Sequence, residues 1–185
     1  LSGGDGMLVG IYSTVAECKA RGNQGAGIQG KDHSRVIECT ASESINANGI
    51  FLNNFCTVRD CTAAKNKMHG IRVGSKCRVF NNTCAENGWY VPGTNAAGIA
   101  IEGWNSVVER NIICNNDWGV IVTNAGGPQP NGNMIFNNYA SRNGFDYQAP
   151  PPPQNYIGPL EDFTGGGGFT NANPWVNFKF STWGQ

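Results

Sequence analysis

The chain is short of charge before anything else. Charged residues are 14% of its 185 positions, and thirteen Lys and Arg are matched by thirteen Asp and Glu. Soluble domains usually carry roughly 25%. A balance of zero removes nucleic acid from the expected partners, because counterion release needs a surplus of basic side chains. No apolar run approaches the roughly 18 residues that cross a bilayer, so no membrane span is expected. Leu1 is not an initiator methionine and no basic-then-apolar leader follows it, so the chain reads as a mature or excised piece of something longer. Residues that favour helices are also scarce. Glycine (26) and asparagine (24) fill 50 of the 185 positions, a composition that suits turns and disfavours long helices. The length is that of one domain.

What is present is a repeat. A glycine followed by an apolar residue recurs at Gly6-Met7, Gly27-Ile28, Gly49-Ile50, Gly70-Ile71, Gly98-Ile99, Gly119-Val120 and Gly144-Phe145, with spacings of 21, 22, 21, 28, 21 and 25. Each opens a short alternating run, the period-2 pattern of a strand with one buried face. A second column runs Val15, Val36, Val58, Val79, Val108 and Ile135. Three residues after each member stand Cys18, Cys39, Cys61, Asn82, Asn111 and Asn138. Helical repeats need 30 to 45 residues and leucine-rich repeats need a leucine comb; neither is found. One turn of chain per repeat, with each short strand pairing in parallel with its copy about 4.8 Å away, accounts for both columns.

These columns, Gly-Ile-x-Val, then Val-x-x-Cys/Asn, then Asn-x-x-x-Gly-Ile, resemble the right-handed parallel β-helix repeat family of the pectate-lyase-like superfamily, over residues 6 to about 147. The resemblance implies an all-β, single-stranded right-handed parallel β-helix (solenoid) of about seven coils with a C-terminal capping tail. Residues 1–148 are expected to form the helix, roughly 34 Å long. Residues 149–185 form a Pro/Gly-rich linker and an aromatic tail that packs on it. Met7/Val9 through Phe145/Tyr147 would line one inner wall, with Asp146 and Gln148 facing out. Asn82, Asn111 and Asn138 would stack at a turn, with the cysteines in their place in earlier coils. Leu1 to Asp5 are too short to cover the first coil, so upstream residues or another subunit are expected there.

Of the seven cysteines, Cys18, Cys39 and Cys61 are spaced by the repeat and not by the two-to-four-residue steps of zinc ligands, and Cys56 and Cys77 fall in a column of their own. Parallel Cβ vectors one rung apart are poorly placed for disulfides, so free, buried thiols are expected.

Function is less legible, because the superfamily hosts lyases, hydrolases, epimerases, tailspikes and adhesins alike. In its enzymes the polysaccharide lies on the outer face of a strand stack. By that resemblance Lys31, Arg72 and Glu102 are the catalytic candidates, and Asn53, Trp89, Tyr90 and Trp104 the ligand-binding ones. The face offers one carboxylate where a pectate lyase needs several for calcium, and no Asp pair suits hydrolysis. Asp32-His33 reads as a turn detail and His69 lacks a partner. Glu17, Glu38 and Asp60 form an acidic column. Calcium could relieve its repulsion, but wants six to eight oxygens, so a solvated edge is favoured and no cofactor or metal is expected. Asn81-Asn82-Thr83 is a sequon. The favoured reading is an extracellular or surface-exposed structural or adhesive module, self-associating or joined to neighbouring domains, with polysaccharide as a further partner. The alternative is a polysaccharide lyase, hydrolase or epimerase, and a trimeric tailspike segment is a third.

Overall fold

The computed structural model describes residues 3–88, 95–123, 129–150, 155–162 and 175–180. Within them the chain winds through three parallel sheets and no helix occurs. The first sheet stacks Met7–Val9, Ile28–Gly30, Ile50–Leu52, Ile71–Val73, Ala97–Ile101, Trp118–Val122 and Phe145–Gln148. The second stacks Thr14–Ala16, Arg35–Ile37, Thr57–Arg59, Arg78–Phe80, Val107–Glu109, Met134–Phe136 and Tyr156–Ile157. The third stacks Lys19–Arg21, Thr40–Ser42, Thr62–Ala64, Thr83–Ala85, Ile112–Cys114, Tyr139–Ser141, Asn177–Phe180 and Leu160–Asp162. This is a right-handed parallel β-helix, as the repeat predicts.

Both columns read from the sequence are vertical neighbours. Ile28, Ile50, Ile71, Ile99 and Val120 are in register, and so are Val15, Val36, Val58, Val79, Val108 and Ile135. From Ile28 and Val36 onward these side chains are fully buried. The strands have two to five residues each, too few to stand alone; stability comes from stacking apolar rungs on one another.

The last coil departs from the expected register. Val120 opposes Tyr147 and Trp118 opposes Phe145, so the final step is two residues longer than the glycine spacing predicts. Phe145 is therefore exposed and stacks on Trp118, with ring centroids 4.5 Å apart, instead of lining the wall. Asp146, expected to face out, is buried opposite Gly119. It takes this place because Asn143 Nδ2 donates to its Oδ1 at 2.9 Å, which ends an internal asparagine ladder on a carboxylate. Burial raises the Asp146 pKa above the ordinary carboxylate value.

Beyond residue 148 the described segments join the same ladders. Ile157 pairs with Ile135 in the second sheet. Asn177–Phe180 inserts between Tyr139–Ser141 and Leu160–Asp162 in the third. Trp175 packs edge-on against Phe136 at 4.7 Å.

Internal polar ladders hold the corners. At the turn before the third sheet each backbone N–H donates to the side chain one coil on: Cys18 to Cys39 Sγ, Cys39 to Cys61 Sγ, Cys61 to Asn82 Oδ1, then Asn82 to Asn111, Asn111 to Asn138 and Asn138 to Asn177. The thiols fill the asparagine role, as expected, and all seven cysteines are free. A second ladder runs Ser44, Asn66, Asn87, Asn116, Asn143. A third runs Cys56, Cys77, Ser106, Asn133, Asn155.

Candidate functional site

The corner between the first and second sheets is set by backbone geometry. Tyr12, His33, Phe55, Lys76 and Asn105 sit at the same place in successive coils with φ of 56° to 59°. The left-handed conformation costs a non-glycine residue about 1–2 kcal/mol. Each of these N–H groups offsets it by donating to the next coil, for example His33 N to Asn54 O at 2.9 Å and Phe55 N to Ser75 O at 2.8 Å.

Because the coils rise by one strand spacing, flat side chains here stack. The rings of Tyr12 and His33 are 4.7 Å apart at 15°, those of His33 and Phe55 4.7 Å apart at 10°. The Lys76 ammonium lies over the far face of Phe55, 4.9 Å from its centroid. Tyr12 is 72% exposed and Phe55 47%. In the turn that carries His33, the flanking Lys31 and Arg35 are also exposed. Asp32 between them turns aside, its Oδ1 accepting from Asn54 N at 2.9 Å and from Asn54 Nδ2 at 3.3 Å. Among the described residues Lys31, Arg35 and Lys76 make no ion pair, whereas the other salt bridges neutralise Arg21, Arg59, Lys65, Arg72, Arg78 and Lys179. The result is an aromatic ridge flanked by unneutralised cations on a chain of zero net charge.

Beside the ridge, on the outer face of the first sheet, the Arg72 guanidinium lies 4.7 Å from the centroid of Phe51 and its Nη2 donates to Glu102 Oε2 at 2.5 Å. Both partners are largely covered, at 26% and 19% side-chain exposure. Arg72 Nε is buried with no hydrogen-bond partner among the described residues. His69 stands close by. Its Nδ1 accepts from Ala97 N at 2.9 Å, so in the neutral ring the proton sits on Nε2. Burial, assisted by the Arg72 charge, lowers its pKa to about 4. A neutral imidazole whose lone pair is already taken cannot accept a substrate proton. Glu102 Oε2 accepts from Arg72.

The structure thus brings Arg72 and Glu102 together and places Lys31 and Asn53, one coil apart, at the rim of the same face, both exposed. Trp104 lies at the corner two coils beyond Asn53, 37% exposed, its Nε1 donating to Gln129 O at 3.2 Å. Trp89 and Tyr90 lie outside the described residues. The Glu17, Glu38 and Asp60 column occupies the corner between the second and third sheets, where Arg59 pairs with Asp60 and stands 3.9 Å from Glu38. No group of three or more His, Cys, Asp or Glu among the described residues is placed to hold a metal ion.

Sequence reasoning missed Tyr12, Phe55, Arg35 and Lys76. The signal was available: positions 12, 33, 55 and 76 repeat at 21, 22 and 21, the glycine spacing itself. Four different residue types hid it.

The sheets, register and ladders define a member of the β-helix class of solenoids. A family model described as the right handed beta helix region matches residues 3–149, and the chain belongs to that family. Comparisons with curated proteins and with solved structures returned no match. Among the described residues no helix is long and apolar enough to cross a membrane.

Proposed function

We propose that this β-helix is an adhesive module that holds an acidic polysaccharide along the ridge between its first and second sheets. The observation that carries the reading is the stacked Tyr12, His33 and Phe55 column with Lys31, Arg35 and Lys76 around it and, among the described residues, no carboxylate pairing them. An extended polyanion could run parallel to the helix axis and meet one cation every coil or two, while the ring edges and exposed Asn53 give it polar and apolar contacts. Such polymers belong outside cells, so the reading carries an extracellular or cell-surface location with it. The occupied lone pair of His69 and the Arg72–Glu102 pair favour binding over catalysis at the adjoining face.

The test is retention of the protein on immobilised polyuronate, sulfated glycan and neutral glucan at low and high salt. Three exposed cations at about 0.3–1 kcal/mol each amount to roughly tenfold in affinity. Joint replacement Lys31→Ala, Arg35→Ala and Lys76→Ala should therefore weaken binding to the acidic polymers about tenfold, with salt erasing the difference. Equal retention on neutral and acidic polymers, or an unchanged triple variant, would refute the reading. Appearance of unsaturated uronate absorbance or new reducing ends, abolished by Arg72→Ala, would establish the enzyme alternative instead.

End-to-end association is a second reading. Among the described residues the strands Met7–Val9, Thr14–Ala16 and Lys19–Arg21 each have one ladder partner, and Leu8, Ile11 and Tyr12 at that end are 65%, 58% and 72% exposed. Light scattering across a concentration series tests it; a monomer at every concentration would exclude it.

A further inference from the structure

The first corner alternates in charge from coil to coil. With two neighbours on each side of the corner residue, the first, third and fifth coils read Gly-Ile-Tyr-Ser-Thr (10–14), Asn-Asn-Phe-Cys-Thr (53–57) and Gly-Trp-Asn-Ser-Val (103–107), and none of these residues is charged. The second and fourth read Lys-Asp-His-Ser-Arg (31–35) and Gly-Ser-Lys-Cys-Arg (74–78), with two cations each. The alternation is vertical, because Thr14, Arg35, Thr57, Arg78 and Val107 are successive register partners in the second sheet. Cationic coils are therefore two strand spacings apart, roughly 9.6 Å.

Phe55 stands between them. Its ring has His33 on one face at 4.7 Å and the Lys76 ammonium on the other at 4.9 Å, so its exposed part is an edge. The next uncharged coil presents Trp104, 37% exposed. Two groups on the cationic coils are already engaged. Glu109 pairs with Arg78, and Asp32 Oδ1 accepts from Asn54 N and Nδ2. Lys31, Arg35 and Lys76 are left to carry the charge.

We infer that the ridge selects a polymer of alternating acidic and neutral sugars over a homopolymer of acidic ones, an inference that rests on the polyanion reading above. An extended pyranose chain advances by about one strand spacing per sugar. Carboxylates on every second sugar then meet the second and fourth coils, and the sugars between them meet Tyr12, Phe55 and Trp104. The Phe55 edge has no hydrogen-bond donor to replace the water that a carboxylate gives up there. A neutral sugar loses less at the same place: its C–H groups pack on the ring and its hydroxyls reach the exposed Asn53 amide on the flank. Spacing, and not charge density alone, is what the corner reads.

The test is the affinity of the whole chain for hexasaccharides of equal length at one ionic strength: an alternating uronate and N-acetylhexosamine, a homouronate and a neutral glucan. The alternating ligand should bind about threefold tighter than the homouronate although it carries half the carboxylates, the size of one exposed contact. Phe55→Lys, which adds a cation to the third coil while leaving its main-chain bond to Ser75 O, should strengthen the homouronate and leave the alternating ligand nearly unchanged. Homouronate binding as tightly as the alternating ligand or more so, or a Phe55→Lys variant that strengthens both alike, would overturn the selectivity while the polyanion site stands. Failure of both acidic hexasaccharides to exceed the glucan would sink the site itself and this inference with it. The comparison on the unmutated chain decides the matter even where the variant fails to fold.

Discussion

Asn111 is the place to test whether the internal amide ladder is structural. It is 1% exposed, and its Oδ1 accepts both Asn82 N at 2.9 Å and Asn82 Nδ2 at 3.0 Å. Its Nδ2 donates to Val79 O, Glu109 O and Asn138 Oδ1 at 3.1, 2.9 and 2.9 Å. Asn111→Ala leaves the Asn82 backbone N–H with no acceptor, a loss of about 1–3 kcal/mol, and removes several further bonds at about 0.5–1.5 kcal/mol each. With the small cavity added, the expected destabilisation is about 3–6 kcal/mol. Asn111→Cys should cost less than half of this, since Cys61 already accepts Cys39 N at 3.4 Å and contacts Val36 O at 3.6 Å. Asn111→Asp is nearly isosteric but points an oxygen at three acceptors, so it must be protonated to fit. Its folded pKa is raised, and the variant should lose stability as pH rises above the ordinary carboxylate range. Urea unfolding followed by far-ultraviolet circular dichroism measures all three. An alanine variant within about 0.5 kcal/mol of the parent, or a cysteine variant no better than alanine, would show that the ladder is ornament.

Two further outcomes follow from packing and protonation. His69 has a folded pKa near 4 against about 6.5 unfolded. Between those values the unfolded chain binds the proton first, so stability should fall as pH drops from about 6.5 to 4, by at most about 3 kcal/mol; urea midpoints across that range should flatten in His69→Asn. Gly49→Ala would place a Cβ 2.5 Å from Asn66 Nδ2 and 2.7 Å from Gly70 O, and since a ladder carbonyl cannot yield, a loss of about 1–3 kcal/mol or more is expected in the same assay.

The inner wall and one of the three polar ladders were legible because a rung admits few residue types. Ile, Val, Leu or Met fills most rungs of the first two walls and Ala most rungs of the third, and a small acceptor such as Asn or Cys answers the N–H below, so columns of like residues appear in the sequence. The second ladder was marked in the sequence only in part, by Asn66 in the Asn-x-x-x-Gly-Ile motif, and the third was harder, because cysteine gives way to serine and then asparagine along Cys56, Cys77, Ser106, Asn133 and Asn155. The place of Asn177 was not legible at all. It completes the first ladder 39 residues after Asn138, outside any repeat spacing, and is fixed by strand pairing on both sides. The register at Tyr147 was misread because Gly144 copies the motif two residues too early, and the buried Asp146 stands where a glycine is otherwise needed.

The corners explain why function is harder to read than fold. Seventeen described non-glycine residues have positive φ, nearly all at the three corners, and they include Tyr, His, Phe, Lys, Glu, Asp, Asn and Arg. The local backbone cost is about 1–2 kcal/mol for most of these types and smaller for Asn and Asp. It is met by a main-chain hydrogen bond to the next coil, which does not depend on the side chain. A corner position is thus fixed in space yet free in chemistry, the reverse of a wall position. Side chains there can change without loss of the coil, and stacking then aligns whatever stands in neighbouring coils. A row of aromatic and cationic groups at the first corner and a row of Glu17, Glu38 and Asp60 at the second are two outcomes of one geometry. Stacking can therefore gather like charges along part of a corner, although Arg110 shares the second corner and Glu43, Lys65, Glu86 and Arg142 mix at the third.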